Sequence, residues 1–272
     1  MDWQEKLKKR VVYQIPGMEQ ADVIKDVLYK TAGDDKLTLD VYYPADRQKD
    51  VPLPAVILIH GDAPWEMLKT IKDGGQFVSW GQLAAANGLI GITFTHRASD
   101  RFQDLAGPME DIVDLFTFVQ EQAEAFSIDA RRLVIVAFSA GGPTALSAVL
   151  QQKPEWLRGI VSYYALMDIE GLREHVPDAP EEWYSRFRAA TYLASEPNKI
   201  PPILIVKAML DSPFFNESID RFVKHAEEAA VPHQLLIHPN GQHAFDVRDD
   251  DETSRSIIQE TLGFIKQRLQ SE

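Results

Sequence analysis

Six short runs of almost uninterrupted apolar residues, each closed within a few positions by Gly, Asp or His and followed by a stretch of helical periodicity, leave this chain few architectures. The runs are Ala55–Ile59, Leu89–Thr95, Leu133–Phe138, Ile160–Ala165, Ile203–Ala208 and Gln234–His238. A strand with one wet face alternates apolar and polar side chains. A strand covered on both faces does not, and such strands belong to parallel sheets whose crossovers are helices. The helical stretches are Phe77–Asn87, stopped by Gly88, Met109–Ala125, Gly141–Gln151, Glu217–Ala230, closed by Pro232, and Glu252–Gln270. In the second, Ile112, Phe116, Val119 and Ala123 recur at three- and four-residue steps, so one face packs on a sheet.

Ahead of these units, Val23–Lys30 and Lys36–Tyr43 nearly alternate, with Ala32-Gly33-Asp34-Asp35 supplying turn chemistry between them. They predict an antiparallel hairpin. The expectation is therefore an α/β fold: a mostly parallel central sheet of about eight strands, an N-terminal antiparallel hairpin and helices on both faces. No repeat, low-complexity tract or linker divides residues 1–272, which read as a single domain. Two connections exceed a turn, 62–76 and 167–202. The second predicts a helix with Trp183, Phe187, Ala190 and Ala194 as an apolar stripe. It is either a small cap over a pocket at the strand ends or a helix on the domain flank.

The 28 Lys plus Arg against 41 Asp plus Glu give a net charge of −13, which repels nucleic acid and anionic membranes and favours neutral small molecules as substrates over highly anionic ones. With no Cys, any nucleophile is an oxygen or a nitrogen, and disulfides and thiolate metal sites are excluded. The start, Met1–Arg10, lacks the apolar stretch of a secretory signal. The apolar runs fall far short of the roughly 20 residues of a membrane-spanning helix. A cytoplasmic protein without nucleic-acid or membrane partners is expected; the oligomeric state stays open, a homodimer included.

Chemistry enters at Leu133–Gly142, where an apolar strand meets a serine flanked by small residues and then a helix start. A serine at so sharp a turn takes a strained backbone, and its neighbours two positions away must be small. Ala137 and Gly141 are small, and Pro143 falls in the first helical turn, where its missing donor costs little. The turn raises the Ser139 hydroxyl at the carboxyl end of the sheet, beside the free amides of a helix N-terminus.

A serine hydroxyl needs a histidine base and a carboxylate to orient it, in the order Ser, Asp or Glu, His for this topology. Asp211 follows the run Ile203–Ala208, and His243 lies in the loop after Gln234–His238. Both are at carboxyl strand ends, where open α/β sheets bind ligands. Asp168 and Asp246 are rival acids; His60, His225, His233 and His238 are weaker bases. Ile59-His60-Gly61-Asp62-Ala63 occupies the loop that supplies a second amide to an oxyanion. The histidines and acids lack metal-ligand spacing, and no cofactor is implied. Phe138, Trp65, Trp80, Trp183 and Phe187 are candidate pocket walls.

Taken together, Leu39–Pro44, Ile59-His60-Gly61, Ile128–Arg132, Phe138–Gly142, Asp211 and Gly241–Phe245 resemble the α/β-hydrolase superfamily, most closely its dienelactone-hydrolase and acetyl-esterase type members. The resemblance implies a serine esterase acting on small or medium carboxylic esters. Ser139 would attack the acyl carbon, His243 shuttle its proton and Asp211 hold the imidazole. Amides of Ala140 and Asp62 would bind the oxyanion. Ala137 and Asp62 stand where the family usually has Gly. A carboxylate turned toward an oxyanion in a water-poor site opposes catalysis, so the Asp62 side chain must point elsewhere. A serine peptidase or amidase, and a noncatalytic domain binding a small ligand, are the competing readings.

Overall fold

The computed structural model describes residues 5, 7–48 and 50–270. Residues 1–4 and 6, within the segment read above for a secretory signal, lie outside the described residues, as do 49, 271 and 272.

The hairpin forms as β1 (Asp22–Ala32) and β2 (Asp35–Tyr43), closed at Gly33 with φ +63°. The remaining strands are β3 (Leu53–Ile59), β4 (Ile90–Phe94), β5 (Ile128–Phe138), β6 (Leu157–Tyr163), β7 (Ile203–Ala208) and β8 (His233–His238). They complete an eight-stranded sheet in the order β1-β2-β4-β3-β5-β6-β7-β8, antiparallel at β1/β2 and β2/β4 and parallel elsewhere. Strand β3 lies between β4 and β5, so the chain reverses its direction of winding there. A crevice at that switch point is the place such sheets offer to ligands.

Helices α1 (Trp65–Leu68), α2 (Gly75–Ala86), α3 (Ala106–Glu121), α4 (Gly142–Gln152), α5 (Glu181–Phe187), α6 (Pro213–Glu228), α7 (Phe245–Arg248) and α8 (Glu252–Gln270) connect and cover the strands. Side chains of β5 show why both faces are dry. Leu133, Ile135 and Ala137 join a core with Ile112 and Phe116 of α3, Leu146 of α4 and Phe222 of α6. Val134, Val136 and Phe138 join a second core with Trp80 and Leu83 of α2 and Ile258 and Leu262 of α8. Period-two alternation thus sends one strand's apolar residues into two cores.

The predicted elements form with shifted ends. Strand β5 starts at Ile128 rather than Leu133, because Ile128 already pairs with Leu53, ahead of an irregularity over the largely polar Asp129–Arg132 after which Leu133 pairs with Ala55. Strand β6 ends at Tyr163 rather than Ala165, because Tyr164 takes φ +41° and turns the chain. The 167–202 connection is not one helix. It comprises the turn Glu170–Glu174, α5, and the turns Ala189–Tyr192 and Pro197–Lys199. Arg188, at φ −83° and ψ 95°, breaks the run that would have aligned Ala190 and Ala194 with Trp183 and Phe187.

Candidate active site

Strand β5 delivers Ser139 at φ +53°, in the left-handed region that a non-glycine residue occupies only under constraint. The constraint is close packing. A Cβ on Gly141 would lie 2.2 Å from the His60 carbonyl oxygen, and one on Gly142 would lie 2.1 Å from that of Leu166. The Leu166 amide donates to the Ser139 carbonyl at 2.9 Å, tying the turn to the strand beside it. Small residues after the serine are therefore a packing requirement of this turn.

Two loops meet it from the far side of the sheet. The Met209 amide donates to the His238 carbonyl and the Leu210 amide to that of Gly241, so the loops after β7 and β8 travel together. They place His243 Nδ1 2.5 Å from Asp211 Oδ2 and His243 Nε2 2.8 Å from Ser139 Oγ. With Nδ1 donating to the carboxylate, Nε2 is left as the acceptor of the serine proton. The second oxygen of Asp211 accepts the Ser212 amide at 2.7 Å, which fixes the carboxylate's rotation.

The rival residues are otherwise engaged. Asp168 accepts from Arg188 and Arg221, and His238 Nε2 meets Ser254 Oγ at 2.9 Å. His60 stacks on His96 at 3.6 Å between ring centroids. Its Nδ1 donates to the Gly61 carbonyl and its Nε2 accepts the His96 amide. Burial, reinforced by His96, holds His60 well below the usual imidazole range, so it stays neutral. Asp246 accepts Trp80 Nε1 at 2.9 Å, Gln76 Nε2 at 2.9 Å and the Tyr164 hydroxyl at 2.8 Å. Burial pushes its carboxyl up, against the pull of these three donors.

The Asp62 carboxylate accepts the Ser99 amide at 2.8 Å and the Ser99 hydroxyl at 2.7 Å. That pairing commits both oxygens to the loop after β4. Gly61 lies against the serine: a Cβ there would come within 3.3 Å of Ser139 Oγ and 3.4 Å of the Ala140 amide nitrogen.

A cavity of about 200 Å³ opens beside Ser139 and His243, walled by Gly61, Asp62, Leu68, Phe77, Phe138 and Tyr164 among others. Of the expected walls Phe138 is there. Trp80 is instead 1% exposed in the core under α2, where Asp246 takes its indole proton, and Phe187 is 1% exposed in the core beside α4. Trp183 packs on Phe187, and Trp65 donates to Asp35 on the hairpin; neither lines this cavity. Sequence reading missed Tyr164, Gln76 and Phe77 in the wall and Phe215, whose ring lies 4.7 Å from that of His243. The one available signal was position, since Tyr164 follows a strand at its carboxyl end. Among the described residues, no group of three or more His, Cys, Asp or Glu could hold a metal ion, and no helix is long and apolar enough to cross a membrane.

Several known proteins are similar to this chain. The BD-FAE family model matches residues 39–173. Esterase B from Lactobacillus rhamnosis superposes with a TM-score of 0.74 at 17% identity, over 94% of this chain and 88% of that one. The ethyl acetate hydrolase of Pseudomonas putida is 24% identical over 253 residues, 84% of this chain and 77% of that protein. The non-reducing polyketide synthase atr1 of Stereocaulon alpinum is 25% identical over 188 residues, 64% of this chain, which spans only 7% of the synthase. The fold is the α/β-hydrolase fold of solved esterases such as Esterase B, and the chain is similar to the family model over just under half of its length.

Proposed function

We propose that this protein hydrolyses small carboxylic esters by way of an acyl-enzyme on Ser139. The observation that carries the proposal is the chain of contacts from Asp211 through both nitrogens of His243 to Ser139 Oγ, at 2.5 and 2.8 Å. As Oγ attacks the carbonyl carbon, Nε2 takes its proton, and Asp211 stabilises the imidazolium that forms. Negative charge collects on the former carbonyl oxygen, where the amides of Ala140 and Asp62 are the assigned donors. The C–O bond to the alcohol then breaks as Nε2 returns the proton to the leaving oxygen. Water, deprotonated by the same nitrogen, attacks the acyl carbon; the bond to Ser139 Oγ then breaks as Nε2 returns that proton to Oγ, releasing the acid and restoring the serine.

Size supports the choice of small acyl groups. A cavity of about 200 Å³ lies below the roughly 300 Å³ at which pockets begin to hold drug-sized ligands. The binding-only alternative rested on the Asp62 carboxylate facing the oxyanion, and its pairing with Ser99 supports the catalytic reading instead. Support also comes from Esterase B of Lactobacillus rhamnosis, solved in complex with a tributyrin phosphonate inhibitor.

The test is turnover of short nitrophenyl esters by the wild type and by Ser139→Ala, with aminoacyl amides as a parallel series. Loss of at least about a thousandfold in kcat is expected for the variant. Undiminished hydrolysis by Ser139→Ala refutes the assignment, and faster cleavage of amides than esters favours a peptidase.

A further inference from the structure

A second cavity, of about 480 Å³, adjoins the one beside Ser139; Ile71, Gln76, Phe77 and Ala244 belong to the walls of both. Its other lining comes from Leu7, Gly74 and Val247, the polar Gln242 and two cations, Lys9 and Arg248. No carboxylate lines it. Neither cation makes a side-chain hydrogen bond or ion pair among the described residues. This differs from the cations built into the structure nearby. Lys72 pairs with Asp26, Asp40 and Asp73, and Arg97 with Asp111.

Two positive charges without a partner among the described residues therefore border a largely apolar space next to Ser139, in a chain whose net charge is −13. We propose that this outer cavity receives a carboxylate at the end of the substrate remote from the scissile ester, paired with Lys9 and Arg248 across an apolar spacer lying along Phe77 and Val247. The inference deepens the ester-hydrolase reading and rests on it. It names the substrate class as esters with one terminal anionic group, such as monoesters of dicarboxylic acids.

The overall negative charge does not forbid this. At physiological ionic strength the screening length is about 8 Å, so acidic residues across the molecule are damped while two cations at contact are not. A highly anionic substrate would still meet the repulsive far field, whereas a single carboxylate has its charge neutralised in place.

The experiment measures kcat/KM for pairs of esters matched in length. Nitrophenyl monoesters of adipic and suberic acid are set against hexanoate and octanoate, and acetates of carboxyalkyl alcohols against alkyl acetates. The readout is the ratio of anionic to neutral substrate on one enzyme preparation, so a variant that folds poorly lowers both rates alike. In at least one series the wild type is expected to favour the anionic ester by roughly tenfold at low salt, falling toward parity at high salt. The double variant Lys9→Glu/Arg248→Glu is expected to bring that ratio below one. Brisk hydrolysis of both series at parity in the wild type overturns the anion site alone, and a ratio unmoved by the double variant overturns its assignment to these residues. Absence of hydrolysis for every ester overturns the ester-hydrolase reading, and this inference with it.

Discussion

Ser99 shows how one hydroxyl decides whether a neighbouring charge helps or harms. Its amide and hydroxyl hold both oxygens of Asp62, on the loop assigned to the oxyanion. Ser99→Ala removes one of the two donors and leaves a carboxylate half tethered at the cavity wall. Charge near a developing oxyanion is felt in the transition state and hardly in the ground state, so the effect falls on kcat. A roughly tenfold lower kcat with little change in KM is expected for Ser99→Ala. The double variant Ser99→Ala/Asp62→Asn, which carries no charge there, should recover most of it. Wild-type kcat in the single variant would show that the pairing has no bearing on catalysis. The charge at Asp62 was visible in the sequence; its partner, 37 positions away, was not.

At the scale of elements, the 167–202 connection is seated by buried apolar side chains such as Leu172, Tyr184 and Phe187 and is pinned to α6 by Asp168. This carboxylate is fully buried and accepts Arg188 at 3.0 Å and Arg221 at 2.9 Å, joining the connection to α6. Its partners keep about a third of their surface exposed, so deleting the acid strands two guanidinium groups that water only partly reaches. Breaking such a pair from the buried side costs about 3 kcal/mol. Asp168→Ala is expected to lower unfolding free energy by that amount in urea titration, whereas Glu217→Ala, at an exposed pair with Arg221, changes it by less than about 1 kcal/mol. Equal effects from the two would remove Asp168 from this role. No residue of 167–202 is among the walls of the cavity beside Ser139, and Phe187 is buried in the core.

For the whole molecule, the acid limb of stability follows from buried carboxylates that are ionised and paired. Burial pushes the carboxyls of Asp111 and Asp168 up. Hydrogen bonds from Arg97 and Lys30 to the first, and from Arg221, the Glu170 amide and Arg188 to the second, outweigh it and leave both below the ordinary carboxylate range. A group depressed in the folded state adds stability above its unfolded pKa of about 4, and that stability is lost as pH falls through the folded value. Thermal midpoints should hold from neutral pH down to about 5 and drop steeply below about 4. An Asp111→Asn variant, destabilised at neutral pH, should show a shallower acid fall than the wild type. Parallel pH profiles would exclude Asp111 as a contributor.

The sheet with its hairpin and helical crossovers was legible in the order of residues, because burial on both faces writes itself into continuous apolar runs. That order also determined which serine, acid and histidine stand at strand ends, since strand-end position follows from element order. Tertiary structure alone decided what surrounds them. Tyr164, Gln76, Trp80 and Asp246 form one hydrogen-bonded group from three distant segments, and no local pattern encodes which polar atoms will meet. The same holds for the fate of the candidate aromatic walls. An aromatic side chain is apolar wherever it lies, and only packing settles whether it borders the cavity as well as the core, as Phe138 does, or fills the core alone, as Trp80 does.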